Sequence, residues 1–276
     1  MRKLLVAALA VPTVAALSTS AHATGKTTLD SNEALGLGDN GTTLRIFELN
    51  DPEDDDFIAE VTGLSGQEAR GFEAALIGID YRVQDDTFYG VGELGGIYTL
   101  NTKTGAATLV STMSIPPEGE HFGVDFDPNS DVLRVVSDTR QNLVHRLGTQ
   151  HTTSEGLHEV GSTGIAHTNN DISDQTVTTL LDVHAPNPYL VQQTETQDGN
   201  VDGLGRLRLS SVSDIVGLHI RSKVSSGRTV TNTGYASLRT SDTAQPDLYK
   251  IDLLSGKATK VDDFDKKIAD IAVKQP

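Results

Sequence analysis

The fold is predicted from one five-residue stretch, Ile77-Gly78-Ile79-Asp80-Tyr81, and from two copies of it. The copies are Phe122-Gly123-Val124-Asp125-Phe126 and Val216-Gly217-Leu218-His219-Ile220. Gly123 lies 45 residues after Gly78, and Gly217 lies 94 residues after Gly123, or two steps of 47. A repeat of this length indicates one supersecondary unit that buries its apolar face only against neighbouring copies.

Each repeat reads as a meander of four antiparallel strands. Short alternating or apolar runs are separated by Gly, Asn and Asp, and no long stretch shows the apolar spacing of a helix. In the clearest unit the strands are predicted at 76–82, 87–92, 96–101 and 106–112. Four such strands make a blade of a β-propeller.

The two ends of the chain predict how the ring closes. Strands at 33–37, 42–49 and 57–64 lack a first strand, and the apolar run 268–273 lacks a partner. We therefore expect an all-β propeller of five blades of 47 residues, closed by the C-terminal strand in the N-terminal blade. Six blades are the alternative if 147–175 holds another strand pair, and an open sandwich is the remaining one.

The intermediate blades are less regular in sequence. The third repeat shows strands at 122–127, 132–137 and 142–147, and its fourth strand is predicted near 156–161. A degenerate copy covers about 164–194. The acidic run Asp51–Asp56 is interpreted as a solvated hairpin tip that also offers a weak cation site.

Residues 1–23 read as a secretory signal peptide. Arg2 and Lys3 precede an apolar run from Leu4 to Leu17, and Ala21-His22-Ala23 has the small-x-small pattern of a cleavage site. The apolar run is shorter than the roughly 20 residues of a membrane span. We expect a secreted, extracellular protein in which 24–276 form a single propeller domain.

Composition excludes several classes of partner and chemistry. The formal net charge is −16, and it becomes −18 once Arg2 and Lys3 leave with the leader. Such a chain repels nucleic acid and anionic membranes, so we expect neither as a partner, and we expect a monomer. Without cysteine there is neither a disulfide nor a thiol nucleophile.

A glycine-rich match to the dinucleotide fingerprint is rejected on its context. Gly36-Leu37-Gly38-Asp39-Asn40-Gly41 fits the spacing, but a strand follows it where the fingerprint requires a helix N-terminus. Asn40-Gly41 is the signal of a tight hairpin turn.

Acidic residues at alternate positions suggest a calcium loop. Asp125, Asp127 and Asp131, with Asn129 between them, supply oxygen ligands, although the glycine and the later glutamate of an EF-hand are missing. The competing interpretation is a strand followed by a turn whose side chains cap their own backbone amides. Calcium is thus the one candidate cofactor. Asp125, Asp127 and Asp131 are its tentative site.

One repeat position carries polar side chains in all three copies. Asp80, Asp125 and His219 should lie at similar radii on inner strands, where they could converge on a metal ion or a polar ligand in the central channel. Strand alternation equally allows them to point between blades and to bind neighbouring backbone amides, and this structural role is favoured.

The remaining histidines and the nucleophile motifs indicate no catalytic site. His145, His151, His158 and His167 match no zinc signature and are expected on a partly exposed loop. Neither a Gly-x-Ser-x-Gly elbow nor a His-Glu-x-x-His helix occurs.

The chain resembles a largely bacterial secreted family known as domain of unknown function 4394. The resemblance rests on 77–82, Phe88-Tyr89-Gly90, 97–100, 122–128, Leu133-Arg134-Val135-Val136-Ser137-Asp138, 141–143, 167–170, 178–182 and 216–218. The family implies a β-propeller-like repeat protein and carries no assigned catalytic residues. Arg134 is expected to pair with Asp125 or Asp138.

Two functions follow as expectations. The first is a non-catalytic propeller that binds a protein, peptide or glycan through loops on one face. The alternative is an extracellular hydrolase or lyase that uses Asp80 and Asp125 as acid, base or metal ligand, with calcium as a candidate cofactor.

Overall fold

The computed structural model describes residues 29–65, 71–156, 158–195, 199–213, 216–240 and 245–275. The predicted signal peptide lies outside these residues. The described residues form five four-stranded antiparallel sheets arranged as the blades of a propeller, which confirms the predicted fold class and blade number. No helix in this part of the chain is long and apolar enough to cross a bilayer.

The strands follow one another in chain order, apart from the last. Blade 1 holds β1 (Glu33–Gly38), β2 (Thr43–Glu48) and β3 (Asp51–Glu60), together with β20 (Ile268–Val273). Blade 2 holds β4 (Leu76–Arg82), β5 (Thr87–Gly92), β6 (Gly96–Leu100) and β7 (Ala107–Thr112). Blade 3 holds β8 (Phe122–Asp127), β9 (Val132–Ser137), β10 (Asn142–Arg146) and β11 (His151–Ser154). Blade 4 holds β12 (Ser162–His167), β13 (Leu180–His184), β14 (Tyr189–Glu195) and β15 (Asn200–Arg206). Blade 5 holds β16 (Val216–Ser225), β17 (Arg228–Leu238), β18 (Asp247–Ile251) and β19 (Ala258–Asp263).

The innermost strands surround the propeller axis. They are β20, β4, β8, β12 and β16, and each contacts the innermost strand of the next blade. In blade 1, β20 pairs antiparallel with β1, with Leu35 opposite Ala272. The first blade is therefore built from both ends of the described chain.

The repeated glycine lies where two inner strands come closest. A Cβ atom at Gly123 would stand 2.3 Å from the carbonyl oxygen of Thr163 in blade 4. At Gly78 it would stand 2.5 Å from Cγ2 of Val124 in blade 3. Real Cβ contacts are not this short, so the glycines are required by the approach of neighbouring blades rather than by backbone conformation.

Apolar clusters fill the spaces between blades. Each of the five clusters is shared by two neighbouring blades. The one between blades 3 and 4 is the smallest and consists of Val136, Ile165 and Leu180. That interface must depend more on polar contacts than the other four, because less apolar surface is available to it.

Two predicted strand positions are wrong, and one strand was not predicted. The fourth strand of blade 3 is β11, not 156–161, because the turn after β10 is short and the polar run His151–Ser154 pairs directly with it. The third strand of blade 1 is β3, not 57–64, so the acidic run Asp51–Asp56 lies in a strand while Leu49 and Asn50 form the turn. The outer strand β15 was not predicted, since it is rich in glycine and polar residues.

Candidate functional site

Five titratable side chains, one from each innermost strand, lie around the axis. They are Asp270 on β20, Asp80 on β4, Asp125 on β8, His167 on β12 and His219 on β16. All except Asp270 are buried, and Asp270 is partly exposed. The sequence repeat predicted three of them.

The three carboxylates of this set accept hydrogen bonds from backbone amides of the next blade. The donors and acceptors are Ile79 N to Asp270 Oδ2 at 2.8 Å, Phe126 N to Asp80 Oδ2 at 2.7 Å, and His167 N to Asp125 Oδ2 at 3.0 Å. Each bond satisfies an amide at a blade junction and ties the two inner strands together. The structural role favoured from the sequence is thus visible at Asp80 and Asp125, whereas His219 contacts the side chains of Asp80 and Gln275.

Side-chain amides make the two remaining junctions. Asn170, just after β12, donates Nδ2–H to the carbonyl of Ile220 in blade 5 at 2.5 Å. Gln275, just after β20, accepts the Ser222 amide through Oε1 at 2.7 Å. Its Nε2 also donates to the carbonyl of Ile220 at 3.3 Å.

The contact of His219 with Asp80 joins blades that are not neighbours. His219 Nδ1 lies 3.0 Å from Asp80 Oδ1, and the other ring nitrogen, Nε2, lies 3.0 Å from Gln275 Nε2. The Gln275 amide is oriented by its bond from Ser222 N, so its Nε2 is the donor and His219 Nε2 the acceptor. His219 therefore carries its proton on Nδ1 and donates it to Asp80.

The same three predicted residues form a compact set of potential ligands. One ligand atom each from Asp80, Asp125 and His219 lies within 4.8 Å of the other two. Asp125 also hydrogen-bonds His167 Nδ1 through Oδ2. No protein donor reaches Asp125 Oδ1 in the described part of the chain. The set could hold a metal ion.

The tentative calcium set is not brought together. Asp125 points to the axis, whereas Asp127 accepts the Asn129 amide at 3.0 Å and the Ser130 hydroxyl at 2.6 Å. Asp131 forms an ion pair with Arg82, at 2.6 Å between Oδ2 and NH2. Asp127 thus makes the turn contacts of the competing interpretation, and among the described residues neither it nor Asp131 belongs to a group of potential metal ligands.

Burial controls ionisation of the axial groups. It raises the pKa of the Asp125 carboxyl well above its usual range, and the nearby Asp80 carboxylate adds to this. It also raises the pKa of Asp270 to about 8, against the opposing hydrogen bonds from the Ile79 and Ile271 amides. Burial, with the Arg134 charge adding to it, lowers the pKa of His167 to about 4. At neutral pH the Asp270 carboxyl is thus largely protonated and the His167 imidazole is neutral.

A cavity of about 480 Å³ opens at the face where the inner strands begin. Its lining comes from blades 1, 2, 3 and 5, and it includes the loop residues 93–94 and 119–121. Leu76, Ile77, Phe122 and Val216 provide apolar surface. The polar groups of the lining include Glu93, Glu120, His121, Lys267 and Asp270. Asp270 is the member of the axial set that reaches this cavity.

The histidines expected on an exposed loop are mostly buried. His145 contacts Ser111 Oγ and Thr152 Oγ1, each at 2.9 Å, and His158 contacts Asp182 Oδ2 at 2.7 Å. His167 belongs to the axial set, and only His151 is exposed. The expectation failed because these residues alternate along strands or anchor a loop against them. Gly164, which lies in the repeated glycine position, was the available signal for His167.

Asp270 and Gln275 were also missed. β20 lacks the repeated glycine, and so Asp270 could not be aligned with Asp80 and Asp125. Arg134 does not pair with Asp125 or Asp138: it donates to Asn142 Oδ1 at 2.5 Å and lies 3.3 Å from Glu155 Oε2. A cross-strand asparagine and the start of the next loop are simply nearer to its long side chain.

Comparison with known proteins places the chain in a family. The profile of the family described as Domain of unknown function (DUF4394) matches residues 43–272, which include blades 2 to 5 and all of blade 1 except β1 and the last residue of β20. The chain belongs to this family. The DUF4394 resemblance drawn from the sequence motifs is thereby confirmed.

Other comparisons add little to the DUF4394 assignment. No curated protein matches the chain. Among solved structures, the crystal structure of the computationally designed Ika8 protein matches with 10% identity and a TM-score of 0.37. The match covers 90% of this chain and 66% of the designed chain. A TM-score this low supports no conclusion about this chain.

Proposed function

We propose that this protein is a secreted, non-catalytic propeller that binds a peptide segment or a short glycan at the face where the inner strands begin. The cavity of about 480 Å³ at that face is the observation that carries the proposal. Its size is within the range of roughly 300–1,000 Å³ typical of ligand pockets. A concave site favours a protruding segment over a flat protein surface.

The lining suits an amphipathic ligand. Leu76 and Phe122 offer apolar contact, as a side chain or a sugar face requires, while Glu120 and Lys267 offer charged hydrogen-bonding groups. The loops carrying these groups are held by rigid strands of four blades, so little ordering is needed on binding.

The buried carboxylates at the axis favour binding over hydrolysis. Asp80 and Asp125 are 3% and 2% exposed, and each holds a backbone amide of the next blade. A general acid or base must come within hydrogen-bond reach of the substrate. These two residues do not line the cavity, so the sequence-derived choice of acid and base loses support.

The test is a ligand screen followed by a matched pair of variants. The purified chain is applied to arrays of peptides and glycans, and each hit is measured by calorimetry. His121→Trp fills part of the cavity and should abolish binding, whereas His151→Trp, on the exposed outer strand β11, should leave it unchanged. Hits that survive His121→Trp, or an absence of hits on both arrays, would contradict the proposal.

A hydrolase or lyase is the second candidate because Asp270 reaches the cavity. Its raised pKa of about 8 leaves a protonated carboxyl at neutral pH, which is the state of a general acid. If this function is correct, products form from an array hit, and Asp270→Asn reduces their rate of formation by about 10²-fold or more while binding persists. Binding without product formation leaves the first function alone.

A further inference from the structure

The axial set places two buried carboxyl groups close together. Asp80 and Asp125 are buried, and one oxygen of each lies within 4.8 Å of the other. In the described ranges, neither accepts a hydrogen bond from a lysine or an arginine. Arg134 lies opposite Asp125 on the neighbouring strand. Its two terminal nitrogens donate hydrogen bonds to Asn142 and Glu155 instead. Two carboxylates so placed cannot both ionise without a cation.

The third member of the set decides which cation suits it. His219 contributes an imidazole nitrogen from blade 5, so the three ligand residues come from three separate blades. Calcium and magnesium prefer oxygen ligands throughout, whereas zinc and similar divalent ions accept mixed imidazole and carboxylate sets. Two atoms bonded to one ion at about 2.0–2.2 Å are at most about 4.4 Å apart, so ligand atoms within 4.8 Å of one another can close on such an ion after small side-chain movements.

We propose that Asp80, Asp125 and His219 bind one divalent transition-metal ion of the zinc type at the propeller axis. The ion replaces the direct contact of His219 with Asp80 and uses Asp125 Oδ1, the carboxylate oxygen that no donor among the described residues reaches. It joins blades 2, 3 and 5 at one point. This site is separate from the ligand cavity. The metal proposal can therefore be wrong while the proposed function is correct, and the proposed function can be wrong while the metal proposal is correct.

Proton displacement accompanies binding. Asp125 must coordinate as a carboxylate, so any proton on it is released to solvent, and His219 must shift its proton from Nδ1 to Nε2 so that Nδ1 can coordinate. The Gln275 amide then has to turn so that its oxygen accepts the Nε2 proton. Asp127, Asp270, His167 and Arg134 are the other charged or titratable groups that act on the set.

The distinguishing experiment uses the full chain without a histidine tag. The protein is freed of metal with EDTA, refolded with excess Zn²⁺ or Co²⁺, and desalted. Metal content is then measured by mass spectrometry, and visible absorption reports the ligands of Co²⁺. We expect about one equivalent per chain and a rise in melting temperature of about 5 °C or more at hundredfold excess over Kd.

Two isosteric variants locate the ion. Asp125→Asn removes a proposed ligand, whereas Asp182→Asn removes a carboxylate that is equally buried and equally paired with a histidine, but lies outside the set. Metal should be lost from the first variant and retained by the second. Equal retention by both would place the ion elsewhere, for example at the exposed group Glu53, Asp262 and Asp263, and would overturn the proposal.

Folding failure does not prevent a decision. If Asp125→Asn does not fold, His219→Gln is the second variant, because it removes only the nitrogen ligand. If neither folds, the wild-type Co²⁺ spectrum decides. Absorption typical of a low-coordinate nitrogen and oxygen site supports the proposal, and a folded wild-type chain that binds neither ion contradicts it.

Discussion

The glycines of the inner strands mark the positions where backbone of one blade meets the next. Gly123 is the most restricted of the repeat, because the neighbouring atom is a backbone carbonyl rather than the end of a flexible side chain. The Gly-x-Asp pattern therefore has two parts with different roles. The glycine allows two inner strands to lie close together. The aspartate two residues later, on the same face of the strand, accepts a hydrogen bond from a backbone amide of the neighbouring blade.

Gly123→Ala should destabilise the fold by about 2 kcal/mol or more, because its Cβ would overlap the carbonyl oxygen of Thr163. Gly148→Ala is the matched control, since nothing lies within 4 Å of a Cβ at that position. Urea unfolding followed by circular dichroism measures both. Equal stability of the two variants would show that the blades separate easily at this point.

At the scale of elements, strands were predictable where turn chemistry and burial agree. The four strands of blade 2 lie within one residue of their predicted bounds, and Gly105 has the positive φ of 69° that its turn requires. Gly256 has φ 71° at the equivalent turn of blade 5. Outer strands such as β11 and β15 were misplaced or missed, because half or more of their side chains face solvent and show no apolar alternation.

The C-terminal element ends in a clamp. Gln275 follows β20, and its side chain contacts Ser222 N, the carbonyls of Ile220 and Val273, and His219 Nε2. Pairing of β20 with β1 brings the last strand into the first blade, and this clamp binds the same strand to blade 5.

Gln275→Ala should cost about 1–3 kcal/mol of folding free energy, because it leaves the Ser222 amide without its acceptor. Its neighbour is the control: Lys274 has a surface ion pair with Asp86, and Lys274→Ala should cost about 1 kcal/mol or less. Hydrogen exchange at the Ser222 amide should accelerate in the first variant alone. The role of the clamp would be disproved by identical exchange in both.

At the scale of the whole molecule, the axis gathers ionisable groups from all five blades. Asp270 and Asp125 bind protons more tightly in the folded chain than in the unfolded one, and His167 binds its proton less tightly. The stability that the carboxyls contribute is complete below their unfolded pKa and is lost as pH rises through the folded value. His167 acts in the opposite direction, but only between about pH 4 and 6.5.

Above pH 6.5, of these three groups only the carboxyls still change stability with pH. The free energy of unfolding should therefore decrease as pH rises to 8. Asp270 alone contributes up to about 1.4 kcal/mol per pH unit in this window. Asp270→Asn should flatten the slope by that amount. Asp252→Asn should not, because hydrogen bonds from the Ser255 and Leu254 amides lower the pKa of that exposed carboxyl. Denaturant titrations at several pH values compare the variants, and an unchanged slope in Asp270→Asn would refute the assignment.

The candidate site was predictable in its composition but not in its connections. The repeat placed Asp80, Asp125 and His219 together, since identical positions of successive blades share one radius. His167 escaped because Ala166 stands at the repeat position, and Asp270 escaped because β20 shows no copy of the motif. Arg134 was assigned the wrong partners, since strand register does not say which way a long side chain turns.

The sequence by itself determined the blade and the polar character of the inner strands, and it favoured five blades over six, because alternation, turn residues and repeat spacing are local properties of the chain. Only the tertiary structure decided what those polar groups contact. Asp80 accepts hydrogen bonds from the backbone amide of Phe126 and from the imidazole of His219. No local pattern specifies contacts between residues so far apart in the chain. The cavity likewise exists only because four blades bring their loops to one face, and the pKa of Asp125 is raised because the packed blades bury its carboxyl.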